Sequence, residues 1–249
     1  MAALLALVFK LLTGFGALVA FVIGFLVYNY LGLGGWFLLL LFLGTSTVLG
    51  KINSSEKKGE VEKRGWTQVL ANGIVGAFSA LYYGYSNEII ALVMFGSSVA
   101  AATADTWATE AGLLSKIPPV SIYTFKRVEK GQSGGITPLG LFSSLLGSSL
   151  IGLFWYATFG FLGGREFLFL ASIIALSGFS GSLIDSLLGA TIQAHYYDKE
   201  SNKVFEKEVV EGKKLRLYRG IPFFDNDMVN LTSNICAVII AVSLSTIVL

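Results

Sequence analysis

Asp105, Glu110, Asp185 and Asp227 stand in stretches that are otherwise apolar enough to lie in lipid. A carboxylate in that setting is costly unless it is paired, hydrated or metal-bound, so each is a candidate functional group. Their neighbours are polar at helical spacing. In GSLIDSLLGATIQ, Ser182, Asp185, Ser186, Gly189 and Gln193 follow offsets of 0, 3, 4, 7 and 11, one face of a helix. ATADTWATEAG holds Asp105, Thr106, Thr109 and Glu110 within a sector of about 140°. Arg64, Gln68 and Asn72 recur at i, i+4 and i+8, and Asp227, Asn230 and Asn234 share a face in FDNDMVNLTSN. Four acids need more positive charge than Arg64 supplies, and carboxylates with amide and hydroxyl support suit Mg²⁺ better than zinc or copper. Asp105, Glu110, Asp185 and Asp227 are therefore predicted as metal ligands and catalytic groups, with Gln68, Asn72, Gln193, Asn226 and Asn230 as substrate contacts. His195 reads as an interfacial residue. Cys236 reads as packing, since one thiol makes neither an internal disulfide nor a cysteine metal cage.

A second constellation lies in KRVEKGQSGGITPLG, residues 126–140. Gly131, Gly134 and Gly135, with Ser133, permit a tight turn that presents backbone N–H groups, and Lys126, Arg127 and Lys130 place positive charge beside it. Those are the parts of a phosphate cradle, to which Arg64 and Ser182 are added as candidate contacts. It is not a Walker A sequence, and a glycine-rich turn ahead of a helix can also be only a turn.

The elements that must position these groups follow from hydropathy. With 54% hydrophobic residues, 14% charged residues and a mean hydropathy of +0.70, the chain reads as an all-α polytopic membrane protein, a single integral domain over residues 1–249. Seven apolar segments are predicted as transmembrane helices: 2–30, 35–50, 67–84, 88–114, 138–161, 166–194 and 227–249. Loops 51–66, 115–136 and 195–226 hold 16 of the 18 Lys and Arg, which makes them cytoplasmic solvated connectors and puts the N-terminus inside and the C-terminus outside. In that orientation all four polar stripes end at the cytoplasmic side. Asp185, for example, lies about 28 Å along its helix from the outer end. A net charge of +2, spread over separate loops, gives no sign of nucleic acid as a partner.

Acids able to hold Mg²⁺, basic residues and free N–H groups together suit polyphosphate chemistry. A nucleoside triphosphate can arrive from the cytoplasm, while a lipid monophosphate can keep its head at the interface and its tail in the bilayer. The blocks RGWTQVLANG, ATADTWATEAG, GQSGGITPLG, GSLIDSLLGATIQ and NDMVNLTSN, in this order, resemble the signature blocks of the DUF92 integral membrane family, which includes TMEM19-like proteins and the phytyl-phosphate kinases of tocopherol synthesis. The resemblance implies phosphoryl transfer from a nucleoside triphosphate, CTP by preference, to an isoprenyl (phytyl or geranylgeranyl) monophosphate. Two alternatives stay open. A transporter also uses intramembrane acids, though usually near the midplane between repeats, and no repeat is evident here. The other is a lipid-phosphate nucleotidyltransferase.

Overall fold

The structure is a computed structural model and describes residues 12–57, 63–161, 163–210 and 212–249. Lys10, Lys58 and residues 2–11 of the first expected segment lie outside them, as does the side chain of Lys57. Helix α1 (Gly14–Lys57) is broken at Gly32, whose φ of 64° and ψ of −154° no helix interior contains. The two halves are a hairpin. Leu43 packs against the cluster of Leu12 and Ala17, residues that a straight helix would hold more than about 30 Å away. A Cβ on Gly35 would meet Val27 Cγ1 at 2.9 Å, so only glycine lets the second arm lie so close beside the first.

Helix α2 (Trp66–Ser86) ends at Asn87, left-handed at φ 53°, whose N–H donates to Tyr83 O at 2.8 Å. Helix α3 (Ile89–Leu114) is the axis of the bundle. It is 72% buried across its most apolar window, and its run of Gly96, Ser97, Ser98 and Ala100–Ala102 is small enough for neighbours to approach on every side. Helix α4 (Pro138–Trp155) opens with Pro at its first position and Thr137 as N-cap, accepting from Gly140 N at 3.0 Å, and closes in a π-helical turn, Tyr156–Gly160. Buried Trp155 donates through Nε1 to Leu92 O at 2.8 Å, tying α4 to the start of α3. Helix α5 (Gly164–Thr191) meets α3 where a Cβ on Gly178 would fall 2.8 Å from the Ala100 carbonyl carbon. Helix α6 (Asn226–Ser245) is capped by Asp225, which accepts from Met228 N at 3.0 Å.

Among the described residues five helical stretches are long and apolar enough to cross a membrane: Gly14–Asn53, Ile89–Leu114, Pro138–Gly160, Gly164–Thr191 and Asn226–Ser245. The count differs from the seven segments for two reasons. The first two segments join in one hairpin, and α2 carries Gln68 and Asn72 within its 21 residues. Phe15, Phe21, Phe25, Phe37 and Phe78 face outward with more than half their area exposed, as a lipid-facing surface requires.

The connectors are not all irregular, which departs from a purely helical fold. Strands β1 (Val120–Ser121) and β2 (Gly135–Ile136) pair antiparallel; β3 (His195–Asp198) lies between β4 (Lys203–Phe205) and β7 (Arg216–Arg219), and β5 (Val209–Val210) pairs with β6 (Lys213–Lys214). Strand edges are tolerated there because water can reach them, which the hydrocarbon core does not allow.

Candidate functional site

The helix ends and the two structured connectors enclose a polar cavity of about 590 Å³, within the range of small-molecule sites. Helix α3 supplies Asp105, Thr106, Thr109 and Glu110 to its wall, α5 supplies Ser182, Asp185, Ser186 and Gly189, and Gln193 follows just past the end of α5. Arg64, Gln68 and Asn72 enter from the start of α2, Asn226 and Asn230 from α6, and Lys130 with Gly131–Thr137 from the glycine loop. Residues far apart in sequence are thus brought to one place because every polar stripe ends at the same side of the bundle. The start of α1 is held there too, since Thr13 N donates to Arg64 O at 3.1 Å.

The carboxyl groups of Asp105 and Asp185 face each other within hydrogen-bond reach, and Ser233 Oγ donates to Asp185 Oδ2 at 3.0 Å. Glu110 is held apart from this pair: its Oε2 accepts from Asn53 Nδ2 at 2.8 Å, and Arg64 lies in its field, with the guanidinium 5.6 Å over the Phe42 ring. Among the described residues no three acidic, histidine or cysteine side chains come together as a metal cage. The donor set still fits a hard divalent cation. Four carboxylates (Asp105, Glu110, Asp185 and Glu206) line the cavity against two basic groups, Arg64 and Lys130, and Mg²⁺ commonly takes one or two carboxylates with water and substrate oxygens completing its shell.

Four residues of the expected stripes and loop are placed elsewhere. Asp227 lies in the first turn of α6 but off the cavity: Asn226 and Asn230, four apart, turn inward, and Asp227 stands about 100° round the helix from the first and about 60° from the second. Lys126 and Arg127 are exposed at the turn beyond β1, where their backbones pair with Ser121 and Val120, and they do not line the wall. Asn234 is a buried interhelical tie, donating to Ser98 O at 3.2 Å.

The glycine loop is partly committed to its own fold. Gln132 N donates to Glu129 O at 3.1 Å and Gly135 N to Gln132 O at 3.0 Å, so neither N–H is free to take a phosphate. Gly134, at φ 80°, is buried where a Cβ would stand 2.6 Å from Ala190 N, which makes this glycine a docking point of the loop on α5. Ser133 Oγ donates to Glu206 on the segment after β4. His195 is buried, not interfacial. Its Nδ1 lies 2.9 Å from Gln193 O and its Nε2 3.3 Å from Arg219, whose guanidinium donates to Ala190 O at 2.9 Å and so neutralises the C-terminal end of α5. Burial is the main cause holding the His195 imidazole below its ordinary pKa, with the Arg219 charge acting in the same direction.

Ser46, Gly50 and Asn53 were not anticipated. They line the wall from the second arm of α1 at offsets of 0, 4 and 7, the same signal that marks the other stripes. Glu206 carried no such signal, because it comes from a strand-rich connector.

Residues 1–238 match the family described as "Integral membrane protein DUF92". Protein PGR of Arabidopsis thaliana is 33% identical over 79% of this chain and 76% of its own length. An uncharacterised membrane protein of Methanocaldococcus jannaschii is 34% identical over 72% of this chain and 73% of its own length. Protein VTE6, chloroplastic, also of Arabidopsis thaliana, is 29% identical over 80% of this chain, a match spanning 60% of that protein. No solved structure matches. With its ordered polar stripes and a match over nearly its full length, the chain belongs to the DUF92 family of integral membrane proteins.

Proposed function

We propose that this protein is a Mg²⁺-dependent phosphotransferase that moves a phosphoryl group from a nucleoside triphosphate, CTP by preference, to an isoprenyl monophosphate such as phytyl or geranylgeranyl monophosphate. The observation that carries the reading is the gathering, in one cavity, of the Asp105–Asp185 pair with Arg64, Lys130 and the glycine loop. Asp105 and Asp185 would hold Mg²⁺, which when bound neutralises donor phosphate oxygens. Lys130 draws the donor phosphates toward the loop, and Arg64, at the start of α2 with Gln68 and Asn72, receives the acceptor phosphate. Asn53 fixes the Glu110 carboxylate, whose charge faces Arg64. The acceptor oxygen is already anionic, so no strong general base is needed, and catalysis is positioning plus charge neutralisation.

The same reading sets the topology. Both arms of α1, together with α2, cross the bilayer beside the other four helices, giving seven crossings with the cavity on the cytoplasmic face. Support comes from the basic loops gathered on that side and from the length of each α1 arm, which at 40 residues in total is enough for two passes.

The test is direct. Purified protein in nanodiscs is incubated with Mg²⁺, each nucleoside triphosphate in turn and phytyl or geranylgeranyl monophosphate. The isoprenyl diphosphate is expected by mass spectrometry, fastest with CTP. No diphosphate with any donor overturns the reading, and transfer of a nucleotidyl group instead identifies a nucleotidyltransferase.

A further inference from the structure

Beside the polar cavity lies a second space of a different kind. It holds about 120 Å³ between the two arms of α1 and the inner faces of α2 and α3, and its wall is almost wholly apolar. Leu43, Arg64, Gln68 and Asn72 line both spaces, so the two meet at these residues. Beyond that junction the slot is walled by Ile23, Gly24, Trp36, Leu39, Leu40 and Val99. An anion-attracting group at the mouth of a narrow apolar slot is complementary to a molecule with an anionic head and one hydrocarbon chain.

We propose that this slot between the α1 arms seats the head-proximal part of a single-chain lipid phosphate, with the phosphate at Arg64 and the chain running between Gly24 and Leu40. The proposal rests on the phosphotransferase reading and adds to it the residues that select the acceptor. A two-chain phospholipid is a poor fit, since the slot has room for the first few carbons of one chain only. The glycine pattern agrees. A Cβ on Gly24 would meet nothing within 4 Å, so this small residue is not required by packing, and it leaves open the space that the chain would fill. At Gly73, by contrast, a Cβ would lie 2.7 Å from Ile23 Cδ1, and there glycine serves contact between helices.

The experiment uses the full chain in nanodiscs and geranylgeranyl monophosphate carrying a diazirine near its head, with a diazirine-bearing phosphatidylglycerol as the two-chain control. Light-induced labelling of the parent is expected at Ile23, Trp36 or Leu40, and the control probe should not label them. Gly24→Leu fills open space and improves helix propensity, and Leu40→Phe narrows the slot from the other arm. Each should lower labelling and raise the KM for the isoprenyl phosphate about tenfold, with the nucleotide KM unchanged. Labelling outside the slot, equal labelling by both probes, or folded variants that label like the parent would overturn the proposal. If a variant does not fold, the labelled positions in the parent still decide. Labelling needs no phosphoryl transfer: a labelled slot in a protein that makes no diphosphate sinks the kinase reading alone, whereas transfer without slot labelling sinks the slot alone.

Discussion

Asp105 on α3 and Asp185 on α5 turn their carboxyl groups toward each other in the wall of the polar cavity, and Ser233 on α6 donates to the second of them. Two ionised carboxylates in a largely buried site repel unless a cation or a shared proton lies between them, so the pair is costly as packing alone. Asp185→Asn keeps the size and much of the hydrogen bonding while removing one charge. If the pair holds Mg²⁺, turnover should fall by at least about a hundredfold, roughly 3 kcal/mol of barrier. A second readout separates binding from chemistry: millimolar Mg²⁺ should raise the thermal midpoint of the parent and leave that of the variant unmoved. Activity within about threefold of the parent, with an intact Mg²⁺ shift, removes Asp185 from the site.

The orientation is checked with single cysteines on a Cys236→Ser background. Lys126→Cys and Lys203→Cys lie in exposed parts of two basic connectors, and Tyr85→Cys lies at the far end of α2, where the tyrosine is 90% exposed. In sealed inside-out vesicles an impermeant maleimide is expected to label the first two and spare the third. Labelling Lys126→Cys and Lys203→Cys from opposite sides would break the convergence of the helix ends on one compartment, and with it the route by which a soluble nucleotide reaches the cavity.

The polar stripes of α3 and α5 were legible because helical periodicity fixes which side chains share a face, whatever the neighbours do. The break at residues 31–34 was legible too, and it coincides with the non-helical Gly32. Other features depended on contacts no local pattern encodes. Asp227 reads as part of a stripe, yet the rotation that packs α6 turns Asn226 and Asn230 inward in its place. The glycines of GQSGG read as a phosphate cradle, but Gly134 is required by its approach to Ala190, and Gly135 donates within the turn. The strands within 195–219 left no period-two trace: Arg216–Arg219 reads Arg-Leu-Tyr-Arg, with two apolar positions in succession, inside a connector dense in charge.

His195 gives a pH dependence with a definite sign. Burial favours its neutral form in the folded protein, so its folded pKa lies below the unfolded value near 6.5. The unfolded chain then binds the proton more readily, and stability rises with pH through this window. The contribution is fully present above pH 6.5 and is lost as the pH falls toward the folded pKa. His195→Asn removes the titration while keeping a donor near Gln193 O. Thermal midpoints measured from pH 8 to pH 5.5 should fall more for the parent than for the variant, and parallel curves would show that the buried imidazole does not titrate in this range.

Glu206 sets the last expectation, because it reaches the cavity from the connector between β4 and β5 and accepts a hydrogen bond from Ser133 in the glycine loop. Its two roles act in opposite directions on a nucleotide. As a hydrogen-bond partner it steadies the loop that would meet the phosphates, and as a negative charge in the same cavity it repels them. Two substitutions separate these effects. Glu206→Gln keeps an acceptor for Ser133 and removes the charge, so the nucleotide KM should fall by about fivefold, the size of one screened charge contact. Glu206→Ala removes both, and the freed loop should raise the same KM above that of Glu206→Gln, with the KM for the lipid phosphate unchanged because Glu206 does not line the apolar slot. Steady-state kinetics with each substrate varied in turn reads both constants. Equal effects of the two substitutions on the nucleotide KM would show that the bond to Ser133 does not order the loop for binding.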